Sequence, residues 1–167
     1  MDITVRESIP SDLPIINKIF NYAVLNTNYN LRIEPRSQEE AQQWFEKHKA
    51  ENYPILSAVY QGEVVGWASL SHFREYEGYN TTAEVSVYVS KSYRHRGIGT
   101  MLLTELERRA KRYRLLIAVI TDNNTASISL HSRCGFIPVC TLREIGCKNG
   151  EYISVTLMSK KLKNNVI

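Results

Sequence analysis

The residues best equipped for chemistry lie together in Arg94-His95-Arg96-Gly97-Ile98-Gly99. Two arginines and a histidine supply charge, and the two glycines let main-chain N–H groups come close to oxygen atoms that a side chain would keep away. Upstream, Ala83 to Ser90 alternates apolar and polar residues as a strand does. Downstream, Gly99 to Tyr113 carries Met101, Leu102, Leu103 and Leu106 along the apolar side of a helix. A strand-to-helix joint leaves the first helical N–H groups unpaired at the positive end of the helix dipole, so phosphate is its natural occupant. The same G-x-G is also what an ordinary tight turn needs, and on spacing alone both readings stand.

Two familiar phosphate motifs are excluded by spacing. A Walker loop needs G-x-x-x-x-G-K followed by Ser or Thr, and a dinucleotide turn needs a third glycine where this chain has Leu102. Neither a nucleotide triphosphatase nor a dehydrogenase is expected.

The frame around the turn is that of one globular domain spanning residues 1–167. A chain of 167 residues with 43% hydrophobic and 23% charged residues can bury its own core without metal or disulfide support. No apolar run approaches a membrane span, and the opening MDITVRESIPSDLP has no basic segment leading into an apolar one. A cytoplasmic protein with no membrane association is expected. Cys134, Cys140 and Cys147 form no C-x-x-C pair, which argues for reduced thiols and against a metal site. The net charge of +4 suits an anionic ligand, but the cations are dispersed outside the turn and do not interleave with aromatic residues, so nucleic acid is not an expected partner.

The remaining elements follow from period and punctuation. Ile3 to Ser8 alternates as a strand. Next, Ile15, Ile16, Ile19, Phe20 and Val24 repeat as a helix, with Ser11 as its N-cap. Ser37 and Glu40 match a capping box ahead of Trp44 and Phe45, which face the core. Gln61-Gly62 reads as a hairpin turn between two apolar strands. Arg114 to Ile120 is a near-continuous apolar run, the mark of a strand buried on both faces. A short helix then ends at Gly135, and two strands joined through Lys148-Asn149-Gly150 close the chain. Strands and helices alternate, with hairpins near either end, so the expected class is α/β with a mixed sheet.

Placed between strand and helix, Arg94 to Gly99 resembles the R/Q-x-x-G-x-G/A turn of the GCN5-related N-acetyltransferase (GNAT) superfamily. The stretch Asp122 to Phe136 resembles the next element of that superfamily, and the likeness covers nearly the whole chain. Within the superfamily, IFNYAVLNT, HFREYEGY, AEVSVYVS, LHSRCGF and TLREIGCKNG are similar to the phosphinothricin and methionine sulfoximine acetyltransferase branch.

The resemblance implies a single-domain GNAT fold: a mixed, mostly antiparallel sheet with splayed central strands flanked by helices. It implies acetyl-CoA as co-substrate, with the pantetheine arm and thioester along Val87, Tyr88 and Val89, the diphosphate at Arg94, His95, Arg96, Gly97, Ile98 and Gly99, and Asn124 bonding the pantetheine or a main-chain group. An amine acceptor is an ammonium in water, with a pKa of about 10.4 for a lysine-like group, so it must lose a proton before attack. Glu84 matches the superfamily's proposed base, and partial burial would make it a better one. On position alone it is a polar residue at a strand edge. His131 stands where the branch has histidine, either to protonate the leaving thiolate or to order a water, although a helical histidine is as often a packing residue. Asn124 serves equally well as a helix cap.

For the acceptor, Arg74 matches the branch's F-R motif and could hold a carboxylate bidentately, with Phe73, Glu75 and Tyr79 lining the pocket. Several positions depart from the branch pattern: Tyr76, Gly78, Ser132, Tyr152 and Ser154. The cofactor positions match better than the acceptor positions. A small-molecule amine is the implied acceptor and a homodimer the implied assembly. A protein N-terminus, a polyamine, or a CoA-binding module without catalysis are the alternatives.

Overall fold

The structure is a computed structural model that describes residues 2–163. Its elements run β1 (Ile3–Glu7), α1 (Leu13–Asn26), α2 (Gln38–Ala50), β2 (Ile55–Tyr60), β3 (Glu63–His72), β4 (Thr82–Val89), α3 (Ile98–Arg109), β5 (Leu115–Thr121), α4 (Thr125–Arg133), β6 (Ile137–Lys148) and β7 (Glu151–Lys161). This is the expected α/β class, with seven strands, mostly antiparallel, and four α-helices among the described residues. The chain divides into two compact units. Among the described residues one comprises 2–21, Arg36–Ser71 and Ser86–Ala110, the other Tyr22–Pro35, His72–Val85 and 111–163.

In the first unit the strand order is β1-β2-β3 followed by the second half of β4. β1 and β2 pair antiparallel, Val5 opposite Ala58, and β2 folds back on β3 through Gln61 and Gly62. Both turn residues have positive φ, 50° and 84°, the geometry that matches the right-handed twist of a hairpin. The capping box forms as read: Ser37 Oγ accepts from the Glu40 N–H at 3.1 Å, and Glu40 Oε2 accepts from the Ser37 N–H at 2.8 Å. The core joins Leu13, Ile16, Ile19, Ala41, Phe45, Ile55 and Trp67, with Phe20, Trp44, Val64 and Tyr88 packed against it. Arg36 is buried at its border, its guanidinium 4.6 Å from the Phe20 ring centroid and 4.5 Å from that of Trp44, while its Nε donates to Asn17 Oδ1 at 2.8 Å.

The start of α1 differs from expectation. A short 3-10 turn, Pro10–Asp12, precedes the helix, and Asp12 rather than Ser11 serves the chain there. The Asp12 carboxylate accepts from the Ile9 N–H at 3.0 Å, from Ser57 Oγ at 3.0 Å and from both terminal nitrogens of Arg6 at 2.6 and 2.9 Å. Burial works to raise its pKa, but these bonds outweigh it and hold the carboxyl below its ordinary value. Ile15, part of the helical repeat, and Met101, read on the apolar side of its helix, are 41% and 39% exposed. In α3 the arc formed by Ile98, Leu102, Leu103 and Leu106 already fills the inward face, and Met101 sits outside it.

In the second unit the order is the first half of β4, then β5, β7 and β6. The parallel β4–β5 ladder covers Thr82–Leu115, Ala83–Leu116 and Glu84–Ile117, whereas β5 pairs antiparallel with β7 along its whole length, from Leu115 to Thr121. β5 is buried at Leu116, Ile117, Ala118, Ile120 and Thr121 and half-buried at Leu115, whereas Val119 is 42% exposed, which corrects the reading of both faces as covered: its β4 ladder ends two residues earlier, at Ile117. The β6–β7 hairpin closes through Asn149 and Gly150, φ 53° and 78°. Its tip is tied to the chain after α1, where buried Lys148 donates through Nζ to the Asn30 carbonyl at 3.1 Å and Asn28 Nδ2 donates to Glu151 Oε2 at 2.9 Å.

Candidate active site

In the first unit the strand end, turn and helix start are continuous. After Val89 the chain makes a 3-10 turn over Lys91–Tyr93, then takes left-handed backbone at His95, φ 61°, and at Gly97, φ 78°. The second of these needs glycine, since a Cβ would strain that conformation. Gly97 is the N-cap of α3, no side chain caps it, and the helix's own bonding begins with the Met101 N–H to the Gly97 carbonyl at 3.1 Å. The N–H groups of Ile98, Gly99 and Thr100 therefore precede the first helical bond at the positive end of α3. Around them, His95 and Arg96 are exposed, and Arg94 donates through Nε to the Val89 carbonyl at 3.3 Å. The Arg96 guanidinium lies 5.4 Å from the Tyr93 ring centroid. A diphosphate fits this turn: main-chain donors, a dipole and three basic side chains share one short segment.

Val87, Tyr88 and Val89 lead into the turn and are half-buried. Tyr88 packs its ring on Trp67, with centroids 4.8 Å apart and planes 18° apart, and meets Phe20 edge-on at 5.4 Å.

In the second unit, Glu84 lies on β4 opposite Ile117 and is half-buried. Burial raises its carboxyl pKa and the charge of Arg74 draws it down, with the balance above the ordinary value. Arg74, Phe73 and Tyr79 form one group. The Arg74 guanidinium sits 4.5 Å over the Phe73 ring and donates to the Phe73 carbonyl at 2.8 Å, and the Phe73 and Tyr79 rings meet edge-on at 5.8 Å. Arg74 and Glu75 are exposed.

His131 is 3% exposed on α4. Its Nδ1 lies 2.8 Å from the Ser127 carbonyl, which can only accept, so the proton is on Nδ1 and Nε2 carries the lone pair. Nε2 is buried without a hydrogen-bond partner, the Phe136 ring stands edge-on 5.0 Å away, and burial lowers the pKa so that the ring stays neutral. A neutral histidine with a bare buried nitrogen can accept a proton from a thiol, water or ammonium. Asn124 caps α4, Oδ1 accepting from the Ser127 N–H at 3.2 Å, as its plainer alternative required. No hydrogen bond joins Glu84 to His131 among the described residues.

Thr121 escaped the sequence reading. It ends β5, is 3% exposed, and its Oγ1 has no partner. A buried, unmatched hydroxyl costs about 1–3 kcal/mol, and the signal in the sequence was a lone polar residue closing an apolar run.

The chain belongs to the Acetyltransferase (GNAT) family, which it matches over residues 19–136. It is 38% identical over 165 residues to the L-methionine sulfoximine/L-methionine sulfone acetyltransferase of Pseudomonas aeruginosa, an alignment covering 97% of this chain and 96% of that relative. Among solved structures, the Salmonella typhimurium acetyltransferase yncA with its cofactor acetyl-CoA superposes with a TM-score of 0.96 at 30% identity, covering 100% of this chain and 98% of that one. A ribosomal-protein-alanine N-acetyltransferase of Brucella melitensis has a TM-score of 0.93 at 38% identity, covering 95% and 99%.

Proposed function

We propose that the protein moves the acetyl group of acetyl-CoA to the primary amine of a small amino-acid-like acceptor, of the methionine sulfoximine or phosphinothricin type, by direct attack in a ternary complex. The observation that carries this reading is the pairing of Glu84, a carboxyl raised by burial, with the charge of Arg74. One group is suited to take the proton of an ammonium, the other to bind the carboxylate of the same molecule. The named activity of the Pseudomonas relative supports the acceptor class.

In this reading the turn from Arg94 to Gly99 binds the CoA diphosphate. The main chain of Val87, Tyr88 and Val89 and the side chain of Asn124 hold the pantetheine and thioester, and a strand N–H meets the carbonyl oxygen as it gains negative charge. Glu84 takes the amine proton, directly or through a water. The amine nitrogen then bonds the acetyl carbon, the carbon–sulfur bond breaks, and the second proton shed by that nitrogen goes to the leaving CoA thiolate, either passed on by Nε2 of His131 or carried by a water that His131 orders. Phe73, Glu75 and Tyr79 line the acceptor pocket beside Arg74.

We further infer a single GNAT domain over residues 1–167, a homodimer, and a cytoplasmic location. The exposed apolar residues of edge strand β6, Ile137, Val139, Leu142 and Ile145, favour a partner copy, and an odd number of cysteines without a C-x-x-C spacing favours a reducing compartment.

A second reading follows from the Brucella neighbour, whose named activity is on ribosomal-protein alanine: a protein N-terminus as acceptor. One panel separates the two. Purified protein with acetyl-CoA is offered methionine sulfoximine, methionine sulfone, phosphinothricin, a polyamine and a peptide with N-terminal alanine, and thiol release is followed. Turnover of the first three is expected; turnover of the peptide alone replaces the small-acceptor reading with the second.

A further inference from the structure

The thioester strand is held by three consecutive residues of β3, Val65, Gly66 and Trp67. The Ser90 N–H donates to the Val65 carbonyl at 2.9 Å. A Cβ built on Gly66 would stand 3.0 Å from the Tyr88 carbonyl oxygen and 3.4 Å from side-chain atoms of both Ile98 and Leu102, so a larger residue would make the strand or α3 give by a few tenths of an ångström. Trp67 takes the Tyr88 ring in a near-parallel stack at 4.8 Å, and Phe20 closes the ring's other approach.

These contacts fix the direction of the backbone. In a strand both main-chain groups of one residue point to the same side and those of the next residue to the opposite side. The Ser90 N–H and the Tyr88 carbonyl are turned to β3, so the N–H groups of Val87 and Val89 point away from it. The Val89 carbonyl agrees, since it is reached from elsewhere by Arg94 Nε.

We propose that Val65-Gly66-Trp67 is a positioning cradle for acetyl transfer, seating Tyr88 as the anchor of the strand so that the N–H groups of Val87 and Val89 are the ones presented to the thioester. This rests on the acetyl-CoA reading above. Tyr88 then acts through its ring and its β3 contact, and Trp67 and Gly66 act through Tyr88.

Because Trp44 and Trp67 are the two tryptophans of the chain, Trp44→Phe leaves Trp67 as the sole indole emitter. Its emission should change saturably as acetyl-CoA is added, with the midpoint found by calorimetry on the same variant. In steady-state kinetics, Trp67→Leu and Gly66→Ala should each lower kcat at least tenfold, since a misplacement near 1 Å costs up to about a hundredfold. For Trp67→Leu the calorimetric affinity for CoA should stay within about threefold, because no contact of Trp67 reaches the diphosphate turn, and Trp67→Phe should restore most of the lost kcat. The cradle is refuted by a flat Trp67 emission at calorimetric saturation. It is equally refuted by Gly66→Ala and Trp67→Leu turning over within twofold of the unaltered protein. Should Trp67→Leu fail to fold, Gly66→Ala and the emission experiment decide. Absence of acetyl-CoA binding to the unaltered protein removes the acetyl-CoA reading itself and the cradle with it, an outcome distinct from bound cofactor with unmoved emission and kcat.

Discussion

The charge of Arg74 reaches the half-buried carboxyl of Glu84 and opposes the burial that raises its pKa. Neutralising that charge as Arg74→Met therefore has two expected effects. The acidic limb of the kcat/KM profile moves to higher pH, because Glu84 loses the influence that held its pKa down. KM for an acceptor bearing a carboxylate rises about ten- to a hundredfold, the equivalent of one or two charge-assisted hydrogen bonds. An unshifted acidic limb in a pH series from 5 to 9 would detach Arg74 from Glu84.

Glu84→Gln should lose turnover about 10²- to 10⁴-fold and gain stability at neutral pH. The sign follows from proton binding. A carboxyl whose pKa is higher folded than unfolded favours the folded state below its unfolded pKa, and that contribution is lost as pH rises through the folded value. The glutamine variant escapes this loss, so its Tm advantage over the parent should grow from pH 4.5 to pH 8. Parallel Tm curves across that range would mean that Glu84 is not raised.

Gly97→Ala places a Cβ on a residue with φ of 78° at the N-cap of α3. Strain of about 1–2 kcal/mol is expected, together with a rise of about tenfold or more in the acetyl-CoA dissociation constant, because the turn can relax only by moving the amides that follow. Calorimetry reads both, by thermal unfolding and by titration. Unchanged affinity in a destabilised variant would reduce the turn to the ordinary structural role its sequence also allowed.

Thr121→Val removes a buried hydroxyl that has no partner. A gain of about 1 kcal/mol in stability is expected, with reduced turnover if the hydroxyl meets the bound substrates. Urea unfolding and steady-state rates separate the possibilities: a more stable and fully active variant would assign Thr121 no part in the reaction.

Much of the framework was legible because its signals are local. Ser37 and Glu40 are three residues apart, Gln61-Gly62 and Asn149-Gly150 specify their own turns, Gly135 ends α4 with φ of 85°, and Arg94 to Gly99 carries its charge and its glycines in six consecutive positions. The misreadings came where periodicity had to stand for packing. Met101 and Ile15 sit beside truly buried residues in sequence, and Val119 lies within an apolar run, yet their exposure depends on what covers each face.

The amino-acid sequence by itself determined the elements, the basic glycine turn and the family, because capping, turn chemistry and hydrophobic period act over a few residues. Tertiary structure alone decided the properties of the reactive groups: the raised carboxyl of Glu84, the bare Nε2 of His131, the unmatched Thr121 hydroxyl and the stack of Trp67 on Tyr88. Each depends on burial or on a neighbour brought from a distant part of the chain, and desolvation exists only once that neighbour has arrived.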